Sequence, residues 1–399
     1  MKSRKKRLLF VIDSLGIGGA EKSLVTLLNL LDYSQYEVHL QMFSRGGDFE
    51  QLLPGEVKVL PQLHYFFYSS IPWKSIGRKI KSPKAMIAQI RYSGAIRVHR
   101  MTHAEKAAAQ WLCIRDCIDP VEEYYDAAIA YAQGIPAFYV SEKCRAGKKA
   151  VWINVPYKPG EQYIPFIKHT LFAFDKVNAV SDTVCEQLRS DYGLPESRMM
   201  IIRDILDPGM ARRMAGLPSD AEKEMSGTGI RILTVGRLAK MKGYDLAVGA
   251  AEILLKKGID FTWYAVGDGA IREEIERRIS EAGLQDRFVL LGSRSNPYPY
   301  FAACDLYVQP SVYEGFGITL SEAKMFAKPI VTTNFGTAYD QIRDGENGLI
   351  AQMTPEAIAK GIIRMVRDRE LAERCVGVLL AEKIGNPEEI QKLYLFLEA

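Results

Sequence analysis

Two glutamates eight positions apart open the case for chemistry, in the segment Glu314-Gly-Phe-Gly-Ile-Thr-Leu-Ser-Glu322. Gly315 and Gly317, with Phe316 between them, let the backbone come close to a ligand. The amides of Ile318, Thr319 and Leu320 then open a helix, an arrangement that favours bound anions such as phosphates. Glu322, about one turn into that helix, can accept hydrogen bonds from both hydroxyls of a ribose. Glu314, on the loop before the turn, is left for a sugar beyond the phosphates. Taken alone, the two residues fit a pair of solvated surface carboxylates equally well.

A second element is Val235-Gly-Arg-Leu-Ala-Lys-Met-Lys-Gly243. A strand ends, Gly236 frees the turn, and the cations Arg237 and Lys242 share one loop. Two fixed cations are what a departing diphosphate needs when no metal neutralises it. A solvated basic loop is the plainer alternative. Sugar transferases that use a divalent ion usually hold it with Asp-x-Asp, and that pattern occurs nowhere in the 399 residues, so no metal is expected. Near the amino terminus, Gly16, Gly18 and Gly19 sit in Ser14-Leu-Gly-Ile-Gly-Gly-Ala-Glu21, between a strand and a helix. Such a turn also fits dinucleotide binding. Its spacing is not G-x-G-x-x-G, and positions 33 to 43 bring no acid to the end of the next strand for an adenosine ribose. The expectation is that these glycines approach donor phosphates or the reacting sugar.

These residues need strands behind them. In the C-terminal half, short apolar runs (Arg231 to Val235, Phe261 to Val266, Phe288 to Leu291, Asp305 to Gln309, Pro329 to Thr333) alternate with helical patterns such as Tyr244 to Lys257 and Ala270 to Ala282. Strict alternation implies a parallel sheet with helices on both faces. Ligands of such sheets sit beyond the carboxyl ends of the strands. That is where Gly236-Arg237, Gly267-Asp268-Gly269, Gly292-Ser293-Arg294 and Pro310 to Glu314 fall. The N-terminal half alternates less cleanly, with strands expected at Leu8 to Ile12, Glu37 to Phe43, Ala127 to Tyr131, Ala150 to Ile153 and Lys176 to Val180. The join is expected within Arg203 to Gly229, where prolines and glycines break both patterns.

Composition bounds the rest. With 48% hydrophobic and 25% charged residues, the chain is of ordinary globular type and long enough for two cores. Six scattered cysteines without a C-x-x-C pair suggest reduced thiols in a cytoplasmic protein. Asp13 stops the apolar run after Lys2 to Arg7 too early for a signal peptide, and no window suits a spanning helix. A net charge of +4 is too small to argue for nucleic acid. Its distribution is uneven, however: residues 57 to 104 hold nine Lys or Arg and no Asp or Glu, where about six acids would be average. Cations there (Lys74, Arg78, Lys79, Lys81, Lys84, Arg91, Arg97, Arg100) lie beside Tyr65, Phe66, Phe67, Tyr68 and Trp73. This mix suits an anionic membrane surface; the alternative is a solvated basic face with its aromatics in the core.

Over almost its whole length the chain resembles family 4 of the retaining glycosyltransferases, and within it the bacterial capsule and exopolysaccharide enzymes. The resemblance rests on Gly16 to Glu21, Val180-Ser181, Gly236-Arg237 with Lys242-Gly243, Gly267-Asp268-Gly269, Asn296-Pro297-Tyr298-Pro299, and above all Pro310-Ser311 with Glu314-Gly-Phe-Gly through Glu322-Ala323. It implies a GT-B fold: two facing Rossmann-like α/β domains with parallel sheets and an interdomain cleft. The expected limits are 1–204 for the acceptor domain, 205–382 for the nucleotide-sugar domain, and 383–399 for a helix crossing back to the first. It further implies that Arg237 and Lys242 hold the diphosphate, Glu322 the ribose and Glu314 the donor sugar. Arg294 and Gly267 would lie near the base, and Asn154 and Ser181 on the acceptor or sugar side. The expected reaction moves a hexose from a nucleotide-diphosphate sugar, of UDP or GDP type, to a hydroxyl of a lipid-linked or polymeric glycan in cell-surface polysaccharide synthesis. No cofactor and no nucleic acid are expected, and the protein would be cytoplasmic, peripheral on the inner face of the membrane.

Two departures stand out. Relatives often carry Trp-Ile-His where this chain has Trp152-Ile153-Asn154, and Asn in the linker where it has Asp204. Asn154 can bind a sugar hydroxyl but cannot carry a proton. A catalytically silent GT-B subunit that binds glycan or supports a partner is therefore the rival expectation.

Overall fold

The computed structural model describes residues 4–16, 18–70, 83–98, 101–154, 159–314 and 317–399. The chain forms two compact units, one of residues 1–205 with 387–399, the other of residues 206–386.

In the first unit, seven strands run β1 Lys6–Ile12, β2 Tyr36–Met42, β3 Lys58–Val59, β4 Tyr124–Ala130, β5 Arg145–Ile153, β6 Lys176–Ala179 and β7 Met199–Ile201. They form one parallel sheet in the order β3-β2-β1-β4-β5-β6-β7. Apolar runs such as Leu8 to Ile12 are buried along their length, the pattern of a strand covered on both faces. The helix Gly19–Leu30 follows β1 and buries Leu24, Leu27 and Leu28.

Tyr65 and Tyr68, expected in an interfacial aromatic group, belong instead to this unit's core, each 3% exposed. Phe66 stacks on Phe43 with centroids 4.4 Å apart, while Phe67 stays exposed. Tyrosines on a short helix, His64–Ser70, next to the sheet have enough apolar body to be core material, and composition alone does not reveal which way they face. Trp73, Lys74, Arg78, Lys79, Lys81 and Arg100 lie outside the described residues. On the helix Pro83–Val98, Ala85 and Ala88 turn inward while Lys84, Ile87, Ile90 and Arg91 face out.

The terminal helix Ile390–Glu398 packs on the same unit. Its last carbonyls, of Phe396 and Leu397, accept from the ammonium groups of Lys148 at 3.1 Å and Lys6 at 2.8 Å. Cations at a helix carboxyl end satisfy orphan carbonyls and oppose the macrodipole. Tyr394 stacks on Tyr36 with centroids 5.7 Å apart.

The second unit has six parallel strands: β8 Ile230–Val235, β9 Phe261–Val266, β10 Phe288–Gly292, β11 Leu306–Gln309, β12 Ile330–Thr333 and β13 Leu349–Ala351. Their order is β10-β9-β8-β11-β12-β13. This is the doubly wound Rossmann order, in which succession reverses next to the first strand and leaves a crevice beyond the carboxyl ends of β8 and β11. Trp263, Phe261 and Phe288 fill the core on one face, and Ile358, Ile362 and Met365 of the helix Pro355–Arg367 cover another part of the sheet.

The short edge strand β7 is held by a side chain. Asn178 of β6 is fully buried, donates to the carbonyl of Ile202 at 3.0 Å and accepts its amide at 2.7 Å, which continues the ladder one residue past β7. Asn178→Leu leaves both backbone groups unpaired and should cost about 2–4 kcal/mol. Thermal unfolding should register this as a lower melting temperature; an unchanged transition would show that Ile202 finds other partners.

Candidate functional site

The crevice between β8 and β11 brings the sequence-selected groups together. After β8 the chain turns at Gly243, whose φ of +63° is left-handed. A Cβ there would run into the Pro310 carbonyl, so only glycine lets this loop touch the one after β11. The loops are joined through backbone: the Met241 carbonyl accepts from the amides of Val312 at 2.8 Å and Tyr313 at 3.2 Å. Lys242 and Glu314 are the next residues along each loop. The Lys242 ammonium lies 2.7 Å from both carboxylate oxygens of Glu314.

Burial removes one of the readings left open by the sequence. The Glu314 side chain is 8% exposed and Glu322 is 1% exposed, so neither is a solvated surface carboxylate. Glu314 also accepts from Gln309 Nε2 at 2.6 Å and Ser311 Oγ at 2.7 Å. Glu322 accepts from the Tyr298 hydroxyl at 3.2 Å. Arg237, on the same loop as Lys242, is exposed and has no hydrogen bond or ion pair among the described residues. One cation of the expected pair is thus engaged and the other is free.

The helix Ile318–Met325 starts at Gly317, left-handed with φ +82°. Of the three amides singled out, that of Leu320 is spent on the Gly317 carbonyl at 2.9 Å, leaving Ile318 and Thr319 at the helix start. Gly315 and Phe316 lie outside the described residues. The Thr319 hydroxyl turns inward and donates to Gln309 Oε1 at 3.0 Å.

Beyond β9 and β10 the glycines serve close backbone approach. A Cβ on Gly267, with φ +148°, would strike the Gly236 carbonyl, and the Gly267 amide donates to Gly292 at 2.9 Å. Arg294 is not a free cation. It bonds Glu224 at 2.6 Å and the Tyr300 hydroxyl at 2.8 Å, and Tyr300 bonds Glu224 at 2.5 Å. Burial pushes the Glu224 carboxyl up, but the hydrogen bonds from Tyr300 and Arg294 outweigh it and hold the group below its ordinary range. Glu224 was not singled out in the sequence because it sits in a four-residue helix, Ala221–Glu224, within the broken pattern of the join.

In the first unit, Gly16, Gly18 and Gly19 form the turn into the helix Gly19–Leu30. A side chain at Gly18 would collide with the Glu21 carboxylate. That carboxyl is raised by burial, against a hydrogen bond from its own amide. The helix start therefore already has a carboxyl of the unit's own against it. Asn154 donates its side-chain amide to the Tyr131 carbonyl at 3.1 Å, and its own backbone amide to Gln133 Oε1 at 3.0 Å. Its Oδ1 has no partner among the described residues. Tyr131 stacks on Trp152 with centroids 5.0 Å apart. Ser181 caps the helix Asp182–Tyr192, accepting from Val184 at 3.3 Å. Desolvation raises the Asp204 carboxyl, opposed by a hydrogen bond with Ser23. Among the described residues no three His, Cys, Asp or Glu side chains converge as a metal site would require, and no helix is long and apolar enough to cross a membrane.

Two Rossmann-like units, each built on one parallel sheet, are the architecture of the GT-B fold. Residues 219–377, within the second unit, match the family model of glycosyl transferases group 1. The N-acetylgalactosamine-N,N'-diacetylbacillosaminyl-diphospho-undecaprenol 4-alpha-N-acetylgalactosaminyltransferase of Campylobacter jejuni is 25% identical over 92% of this chain and 92% of its own. The alpha-D-kanosaminyltransferase of Streptomyces kanamyceticus is 33% identical over 36% of this chain, a match spanning only 38% of that relative. Among solved structures, HepE of Anabaena, in complex with UDP and glucose, superposes with a TM-score of 0.66 at 19% identity, covering 98% of this chain and 99% of HepE.

The two cations should separate in a stability measurement. Lys242→Ala removes the one cation bound to the buried Glu314 carboxylate among the described residues and should cost about 2 kcal/mol. Arg237→Ala, at an exposed and unpaired position, should stay within about 0.5 kcal/mol of wild type. Equal losses in denaturant unfolding would contradict the difference in pairing.

Proposed function

We propose that this protein is a retaining glycosyltransferase that moves a hexose from a nucleotide-diphosphate sugar to a hydroxyl of a lipid-linked or polymeric glycan in cell-surface polysaccharide synthesis. The observation that carries the reading is the Lys242 and Glu314 pair, with Arg237 on the same loop, at the switch point of the unit that matches the group 1 family. The donor is a UDP- or GDP-sugar. The presence of UDP in the HepE structure supports the former, and the undecaprenol-linked acceptor in the name of the Campylobacter relative supports a lipid-linked acceptor.

In this reading Arg237 and Lys242 take the charge that develops on the leaving diphosphate. The amides of Ile318 and Thr319 with Gly317 contact phosphate, Glu322 the ribose, and Glu314 the transferred sugar. Gly236, Gly267 and Arg294 shape the nucleotide end, Arg294 as a neutralised wall rather than a free charge. The bond from the anomeric carbon to the diphosphate oxygen breaks and a bond to the acceptor oxygen forms on the same face. The acceptor proton passes to the departing phosphate. Asn154 and Ser181 belong to the acceptor side. With two protein cations at the leaving group, the reading requires no cofactor.

A silent glycan-binding or accessory subunit is the second reading, motivated by Asn154, which is tied to the Tyr131 carbonyl and carries no proton. Buried, hydrogen-bonded Glu314 and Glu322 favour the enzyme. Calorimetry with UDP, GDP and ADP, followed by slow hydrolysis of the matching sugar conjugates, separates the two. Binding without turnover, even with added lipid extract, would sink the enzyme. Arg237→Ala and Lys242→Ala should each lower turnover by about two to three orders of magnitude. A change in the Michaelis constant alone would instead assign them to ground-state binding.

The protein is further proposed to work at the inner face of the cell membrane, docked through residues 57–104. Support comes from the helix Pro83–Val98, where Ile87 and Ile90, 53% and 56% exposed, share the outer face with Lys84 and Arg91. Apolar side chains beside exposed cations suit a surface of anionic lipid. Each cation near headgroups is worth about 1 kcal/mol. Sedimentation with phosphatidylserine-containing vesicles should therefore show salt-sensitive binding, weakened roughly tenfold or more by Lys84→Glu with Arg91→Glu. Equal, negligible binding to anionic and neutral vesicles at low salt would leave this face as ordinary surface.

A further inference from the structure

Beneath Glu314 lies a buried amide that the sequence pattern treats as the end of a strand. Gln309 closes β11 and is 2% exposed. Its Oε1 accepts from the Thr319 hydroxyl at 3.0 Å and from the hydroxyl of Tyr307, which lies two residues back on the same face of the strand. Its Nε2 donates to Glu314 Oε1 at 2.6 Å and to Ser311 Oγ at 3.2 Å. An ionised carboxylate only accepts, so a flipped amide would set carbonyl oxygen against carboxylate and strand two hydroxyl donors at the other end. The amide has one orientation.

The consequence falls on the two oxygens of Glu314 unequally. Oε1 receives Lys242 Nζ at 2.7 Å, Gln309 Nε2 at 2.6 Å and Ser311 Oγ at 2.7 Å. Oε2 receives Lys242 alone, at 2.7 Å, among the described residues. A carboxylate has about four lone-pair sites over its two oxygens, so Oε1 is filled and Oε2 keeps acceptor capacity.

We propose that Gln309 is a positioning residue: by fixing Oε1 from below, together with Ser311, it presents Oε2 of Glu314 to a hydroxyl of the donor sugar. The inference rests on the reading of Glu314 as the sugar contact given above. It adds the atom used, the residue that selects it, and a chain of support running from Tyr307 and Thr319 through the amide to the carboxylate. Gln309 itself touches no substrate. Its loss should therefore spare the nucleotide and harm the step that depends on the sugar.

Gln309→Met keeps length and removes both polar ends; Ser311→Ala removes the second donor to Oε1 with a smaller change in the core. For each, affinity for UDP (or GDP, whichever calorimetry selects) and turnover of the corresponding glucose conjugate are measured on the full chain. Nucleotide affinity should stay within about twofold, while turnover falls by about 10- to 100-fold, the penalty for a misplaced reacting group. Turnover within twofold of wild type in both variants would overturn the proposal. So would nucleotide affinity falling in step with turnover, since that pattern marks a merely structural residue. A wild-type protein that binds neither UDP nor GDP removes the reading of the site itself, and the inference with it.

Discussion

The ion pair between Lys242 and Glu314 is the contact on which the second unit's working edge depends. A carboxylate that is almost fully buried loses several kcal/mol of hydration, and Glu314 recovers it from one cation and two neutral donors, all within 2.7 Å. The two neutral donors, Gln309 and Ser311, come from the same stretch of chain as Glu314, whereas Lys242 reaches it only through the reversal of strand order between β8 and β11. The reversal sets two loops side by side, and the left-handed turn at Gly243 lets their backbones touch. Topology makes the crevice, a glycine closes it to hydrogen-bonding distance, and charge fills it.

The pair also sets the electrostatics that an incoming ligand meets. Lys242 is shared between both Glu314 oxygens, so its charge is largely neutralised at rest, while Arg237 keeps a full, exposed charge. An anionic ligand is thus drawn first by Arg237 and must compete with a carboxylate for Lys242. Because the Glu314 carboxylate keeps two neutral donors, it can share the ammonium with phosphate without being left unsatisfied. A buried acid held by the lysine alone would lock the pair shut; held by Gln309 and Ser311 as well, it leaves the lysine able to serve a second anion.

How far this was legible in the sequence depended on whether the deciding interaction was local. Strands such as Phe261–Val266 and Leu306–Gln309 announce themselves by apolar runs between turns, and the glycines and charges after them mark the binding edge by position alone. The edge strands Lys58–Val59, Met199–Ile201 and Leu349–Ala351 did not, because two or three residues carry no period and exist only through pairing with a neighbour. Side-chain partners were the least legible. The ties of Arg294 to Glu224 and of Glu314 to Gln309 are set by which residues the sheet brings together, and Gln309 looks like any polar strand terminus until Tyr307 and Thr319 are seen to hold its other end. Tyr65 and Tyr68 show the converse, since their apolar character was plain but the direction they face was not.

The two units share a strand order up to their sixth strand, yet treat the helix after the glycine turn in opposite ways. At Gly18 the first helix start is occupied by the unit's own Glu21 carboxyl, which fills the space in front of the amides. At Gly317 the second helix start shows no partner for the amides of Ile318 and Thr319 among the described residues, and Glu314 and Glu322 are held by donors of their own. One fold, used twice, thus carries a carboxyl folded back on the helix start in one unit and none there in the other among the described residues. The contrast arises from where a single glutamate folds back rather than from any difference in topology.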